Sequence, residues 1–463
     1  MDEMKELKDF CDAVPSPDAQ RLATARARLS DAIAGSQTLA SRARRGPRLA
    51  IASWRGGRQW PGWMVPLAAA AAAAAVIAGT QTAVDAFGGH ATSRGQAQEA
   101  GQCPRPGPRH PLTAYVGNWA SDAVTPVDVT SGRALPAIRV GQHPQDIVVT
   151  PDCKTVYVLQ DTYTGGHVTG PSTVTPIQTA TDKALPSIKV GSGAFVLAVT
   201  PNGRTVYVVN SSSNSVTPID TATNRALPPI TLPRGQMRGT AAIVVAPDGK
   251  TAYVLRGRQA SATVTPIDTA TNSALPPIRL PPSYAMAVTP DGRTLYIIGG
   301  TTSVTVTPID TAAHRALPPI RMAGGAHDIA VTPDGRTAYV TNPSRGTVTP
   351  IDTATNMALP PISLGAPYPS YLVITPDGRT AYAISWTQHT VTPVDLTTRR
   401  ALLPIRLAGR AGYQTVAVAP DGRTVYVTNS GSDTVTPIRT ATNTALPSIK
   451  VGVSPQSIAF AIR

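Results

Sequence analysis

The stretch VTPDGRTAYVTN, residues 331–342, reads on its own as a hairpin, with two short apolar runs on either side of a Pro-Asp-Gly turn. Variants of it recur at 149–160, 199–210, 245–256, 288–299, 374–385 and 418–429. Aligned on its tyrosine, the repeat places Tyr115, Tyr157, Tyr207, Tyr253, Tyr296, Tyr339, Tyr382 and Tyr426 between 42 and 50 residues apart. Self-similarity at such a period means one supersecondary unit per repeat, stacked on its neighbours to complete a core. Eight units fill residues 111–463.

Each unit holds four strand-sized segments, exemplified by Ile329-Ala330-Val331, Ala338-Tyr339-Val340, Val348-Thr349-Pro350-Ile351 and Ala358-Leu359-Pro360-Pro361-Ile362. β-Branched and aromatic residues bounded by Gly, Pro, Asn and Asp favour strands and turns, and nothing in 111–463 has helical period or length. Asp352 and Asn356 bracket the third turn, where such side chains bond nearby backbone. The proline of Val-Thr-Pro implies a free edge or a bulge. Four antiparallel strands in about 44 residues make a propeller blade, so the fold class is an all-β propeller. The first unit starts at Thr113 without its opening strand, and the chain ends on a lone Ile458-Ala459-Phe460. The C-terminal strand is therefore expected to complete the first blade and close an eight-membered ring; a seven-bladed ring with one unit displaced is the alternative.

With Pro-Asp-Gly-Arg-Thr before Tyr339-Val340-Thr341-Asn342 and Tyr426-Val427-Thr428-Asn429, the repeat resembles the YVTN-repeat β-propeller family of prokaryotic cell surfaces. The resemblance covers residues 111–463 and implies the propeller fold, while the family's roles are diverse. The Gly-His and Trp-Asp pairs of WD40 repeats are absent. Cys153 stands where the other turns have glycine, Asn202 where they have aspartate, and residues 161–172 add loop to the first complete unit.

Residues 64–84 open with MVPLAAAAAAAAVIAG, long enough for a marginal spanning helix. Arg42, Arg44, Arg45, Arg48, Arg55 and Arg58 precede it without an acidic residue between 32 and 63, so residues 1–63 are expected in the cytoplasm and the propeller outside. The long basic leader favours an uncleaved signal-anchor; cleavage after Val84-Asp85-Ala86 is the other reading. Ser16-Pro17-Asp18 starts a short helix with Leu22, Leu29 and Ile33 on one face, a partner-binding or topogenic tail that resembles those of actinobacterial single-pass proteins. Residues 85–110 read as a Gly-, Gln-, Arg- and Pro-rich linker. In an oxidising compartment Cys103 of that linker and Cys153 could form a disulfide; two free thiols are the alternative.

The net charge of +14 raises the question of nucleic acid. External topology and the lack of Arg or Lys clusters interleaved with aromatics argue against it, leaving an envelope polymer, a secreted protein or a small ligand as the expected partner. The framework residues repeat in every blade and cannot individually encode a ligand; information lies in the loops entering each innermost strand. These supply Gln142, His143, Asp146, Arg238, Tyr284, His327, Asp328, Tyr368, Tyr371 and Tyr413, aromatic and polar groups suited to ligand binding at the mouth of the central channel. His143 with Asp146 and His327 with Asp328 are the foothold for an enzyme of lyase or lactonase type. Against it, glutamate is absent from residues 100–463 and no nucleophile motif is present, so no cofactor, metal or catalytic residue is assigned.

Overall fold

The computed structural model of the chain describes residues 111–463, apart from 162, 165–166, 169, 234–240, 258–260, 301–303, 386, 410–411 and 413–414. Residues 1–63, the candidate span at 64–84, the linker expected at 85–110 and Cys103 lie outside the described residues. Among the described residues no helix is long and apolar enough to cross a membrane.

Eight antiparallel meanders form an eight-bladed propeller. In the sixth blade the innermost strand is Ile329–Val331, followed outward by Thr337–Asn342 and Thr347–Asp352. The outermost strand is broken into Met357–Ala358 and Ile362–Ser363. The break is the bulge implied by the proline of Val-Thr-Pro. Ile351 pairs with Ala358 and Val348 with Ile362, so Pro350 lies where the outer ladder is interrupted by Leu359-Pro360-Pro361. Its carbonyl still accepts from the Leu359 N–H at 2.8 Å. Prolines thus face prolines, and neither side needs the N–H it lacks.

Ring closure follows the expected route. The C-terminal strand Pro455–Ile462 pairs with Leu112–Asn118, Tyr115 opposite Ala459, as the innermost strand of the first blade. Innermost strands adjoin one another in sequence order around the ring, the eighth meeting the first and the first the second. Eight blades, not seven, close the circle. There is no single central core: apolar residues pack between the faces of successive sheets, as where Val196, Tyr207 and Val209 meet Ile243, Val245 and Val254.

The repeated tyrosine joins the blades. Its ring is buried on the second strand, and its hydroxyl donates to the turn before the outermost strand of the next blade. Tyr157 reaches Asn224, Tyr207 reaches Asn272, Tyr296 reaches Asn356 and Tyr382 reaches Asn443, each at 2.6 Å; Tyr115 reaches Asp182 at 2.8 Å. Burial pushes the Tyr207, Tyr296 and Tyr382 hydroxyls up to about 12, so they remain donors at any ordinary pH. The accepting residues all lie in the left-handed region, with φ between 52° and 56° for the four asparagines. Asparagine was expected to bond its own turn; it is Asp352 that does so, accepting from the Thr355 N–H at 2.9 Å, while Asn356 serves the neighbouring blade.

The Pro-Asp-Gly turns form a second inter-blade contact. Gly203 has φ +71°, and a Cβ there would come within 3.2 Å of Pro151 in the preceding blade. Cys153, at the same turn position in the second blade, has φ 60° and is buried and disulfide-bonded. The first blade has no such turn to stack on, because its first two strands are the two ends of the described chain.

Three latches lack a carboxamide or carboxylate: His314, Arg399 and Gly132 occupy the position opposite Tyr253, Tyr339 and Tyr426. Gly132 has φ +66° and open space where a Cβ would stand. Asparagine tolerates that conformation. Gly132→Asn should therefore install the missing bond across the eighth and first blades and stabilise the protein by about 1 kcal/mol. Thermal unfolding of the variant checks this; an unchanged or lower midpoint would show that the latch contributes nothing at the seam.

Candidate functional site on the loop face

Antiparallel order puts the Pro-Asp-Gly turns and the turns before the outermost strands on one face of the ring, the turn face. Loops between second and third strands, and those leading into the next innermost strand, share the opposite loop face. All ten candidate site residues were drawn from the latter set. Arg238 and Tyr413 lie outside the described residues. The other eight fall into two separate groups.

On the first and second blades, Gln142 is exposed and His143 half-buried with φ 50°. The His143 N–H donates to Asp122 at 2.9 Å, and its ring lies 4.4 Å from that of Trp119, both partners coming from the first blade's loop. Asp146 is buried. Its carboxylate accepts from the Ile147 N–H at 2.9 Å and from the Leu197 N–H, in the next innermost strand, at 3.2 Å.

On the fifth to seventh blades, Tyr284 donates through its hydroxyl to the Ala326 carbonyl. His327 follows directly, its Nδ1 2.8 Å from the Ser370 carbonyl, which makes Nδ1 the protonated nitrogen. The His327 ring meets Tyr371 edge to face at 5.5 Å. Tyr284, His327 and Tyr371 are half-buried, whereas Tyr368 is 52% exposed and held at φ 56°, a conformation unusual for a large side chain. Asp328 is buried, accepting from the Leu372 N–H at 2.9 Å.

The two His-Asp pairs are alike in their aspartates and unlike in their histidines. Asp146 and Asp328 hold equivalent places and do the same work, tying one innermost strand to the backbone of the next. His143 precedes its aspartate by three positions and His327 by one, so the histidines are not equivalent, and they stand on the second and sixth blades, across the ring. Among the described residues no group of three or more His, Cys, Asp or Glu is placed to hold a metal.

Sequence reasoning missed Trp119, Asp122 and Ser370. Trp119 and Asp122 lie in a second-to-third-strand loop, and only the other class of loop was searched for candidates. Trp119 interrupts an otherwise polar loop, a signal that the same unit-by-unit comparison could have raised.

No model of a known protein family matches the chain, and no curated protein matches it, so the resemblance to YVTN repeats rests on the repeats themselves. Among solved structures the chain is similar to Kuenenia stuttgartiensis hydrazine synthase, at 26% identity and a TM-score of 0.51 over 64% of this chain and 96% of that one. It is similar to dihydro-heme d1 dehydrogenase NirN at 17% identity and 0.61, covering 75% of this chain and 74% of the other. The periplasmic gluconolactonase PpgL of Pseudomonas aeruginosa matches at 18% and 0.50 over 76% and 99%. What these likenesses establish is the propeller architecture.

Burial pushes the Asp328 carboxyl up from 3.8 to about 7, against the lowering effect of its backbone donors. Between those values the native state keeps a proton that the unfolded chain has lost, so this group's stabilisation is complete below about pH 4 and lost as pH rises to 7. Asp328→Asn removes the dependence. The urea midpoint of the variant should gain on that of the wild type from pH 4 to pH 7 and hold its lead above; parallel profiles would mean that Asp328 is ionised throughout.

Proposed function

We propose that the chain is a membrane-anchored, extracytoplasmic propeller that works as a binding or scaffolding module, engaging an envelope component, a protein or a small ligand through its loop face. The observation that carries this reading is the group on the fifth to seventh blades. His327 and Tyr371 meet edge to face, Tyr284 is tied to the carbonyl of the residue before His327, all three are partly exposed, and Tyr368 presents about half of its surface nearby in sequence from a strained backbone. Aromatic faces held rigidly with few polar groups suit recognition of a sugar ring or peptide side chain. A lyase or lactonase would need a carboxylate to act with histidine, and both candidates are engaged by backbone amides.

The oxidised state of Cys153 supports the external location, since disulfides persist in oxidising compartments. In this reading its partner is Cys103, so that the linker is fastened beside the gap where the first blade has no turn. A residue in the left-handed region with a buried sulfur costs stability that the cross-link offsets.

Two experiments bear on these points. Full-length protein should be retained on envelope material at both low and high salt, and Tyr368→Ala with Tyr371→Ala should weaken retention about tenfold or more without lowering the thermal midpoint by more than a few degrees. Retention indifferent to the double variant defeats the proposal; hydrolysis of a sugar lactone that depends on His327 would favour the enzyme. Separately, unreduced, unfolded wild type should expose only Cys11 to maleimide, and Cys103→Ser should expose Cys153 as well. If Cys153 stays blocked in that variant, the proposed cross-link is wrong.

A further inference from the structure

The second strand of the fourth blade, Thr251–Arg256, ends on an arginine at the position where the other blades carry Asn118, Gln160, Asn210, Gly299, Asn342, Ser385 or Asn429. Those side chains close local networks; Asn210, for example, donates to Ser215 and Thr217 at 3.2 and 2.8 Å. Arg256 does not. It is only 6% exposed, yet no hydrogen bond or ion pair reaches its guanidinium among the described residues.

Strand register shows what stands beside it. Arg256 pairs with Thr263, and Thr263 pairs on its other side with Arg279. Residues directly opposite one another share a sheet face, so Arg256, Thr263 and Arg279 form one row across three strands, the arginine Cα atoms two strand spacings, roughly 10 Å, apart. In five other blades the corresponding outer position is also basic, but its row holds one cation only. The fourth blade alone has two.

Acids are missing here. Between Asp220 and Asp291 the only acidic residues are Asp248 and Asp268, both on the turn face. The row therefore lies at the end of the blade where the sequence supplies no carboxylate. Burial lowers the Arg256 pKa with no compensating charge among its causes.

A buried guanidinium without a counter-charge is costly, and it persists where an anion from outside completes it. We infer that Arg256, Thr263 and Arg279 form an oxyanion subsite on the loop face of the fourth blade, taking the carboxylate or phosphate of a small ligand. Arg256 supplies the planar fork on a largely buried side chain, Thr263 a hydroxyl donor, and Arg279 the solvent-side cation that draws the anion in. This site uses none of the aromatic residues proposed above and stands or falls separately from them.

The test is a thermal-shift titration of the full-length protein with inorganic phosphate and with acetate, against chloride at constant ionic strength. Phosphate, acetate or both should raise the midpoint with saturation in the millimolar range, and whichever acts names the ligand class. Arg256→Asn places in the fourth blade the residue that four others use, so it should fold, and it should abolish the shift. Arg279→Gln should weaken the apparent affinity about tenfold, while Arg406→Gln, the corresponding outer cation of the seventh blade, should leave it unchanged. An absent shift in wild type, or a shift that survives Arg256→Asn, overturns the inference.

Discussion

The hydroxyl of a buried tyrosine governs this architecture. A phenol taken out of water must find an acceptor, and on the second strand of a blade the acceptor comes from the turn of the next blade. That turn must place a short polar side chain in the left-handed region, which restricts the position largely to asparagine, aspartate or glycine. Five of the eight blades are tied to their successor in this way, and His314, Arg399 and Gly132 interrupt the pattern at the other three. At the seam the pattern is reinforced from the C-terminus: Arg463 forms an ion pair with Asp182, the residue that accepts from Tyr115, and its guanidinium lies 5.8 Å from the Tyr115 ring centroid. The last residue of the chain thus holds the first and second blades together.

This coupling explains why so much of the fold was legible. Residues needed by every blade recur in every unit, so strand number, turn positions and closure by the last strand could be counted directly. What escaped was anything acting across blades. Asn356 belongs by sequence distance to the turn of Asp352, yet its bond runs to Tyr296, 60 residues away. The register that interrupts the outer ladder at Pro350 was equally hidden, because two prolines excuse each other only when paired.

The candidate site was legible as a set of loops and illegible as chemistry. A histidine next to an aspartate suggests a proton relay, but the two side chains at 327 and 328 take different partners in the next blade. Buried Asp328 meets the Leu372 backbone, while His327 meets Ser370 and Tyr371. Asp146 repeats the arrangement against Leu197. Conversely, nothing in the sequence alone singles out Arg256. Only the pairing Arg256–Thr263–Arg279 shows that two cations share a row.

The distribution of acids has a further consequence for function. Every aspartate of residues 111–463 lies on the turn face except Asp122, Asp146, Asp161, Asp328 and Asp433, and the three middle ones are buried. The turns favour a short side chain with an acceptor oxygen: one methylene lets aspartate reach backbone N–H groups two and three residues on, as Asp268 does at 2.9 Å to both Ala270 and Thr271. Glutamate is too long for that geometry, and residues 100–463 contain none. The demands of the turns have thus drawn most of the carboxylates to one face, and the loop face is left with aromatics, amides, arginine, histidine and five aspartates. A loop face so composed offers the aromatic surfaces and arginines on which the proposed binding role rests.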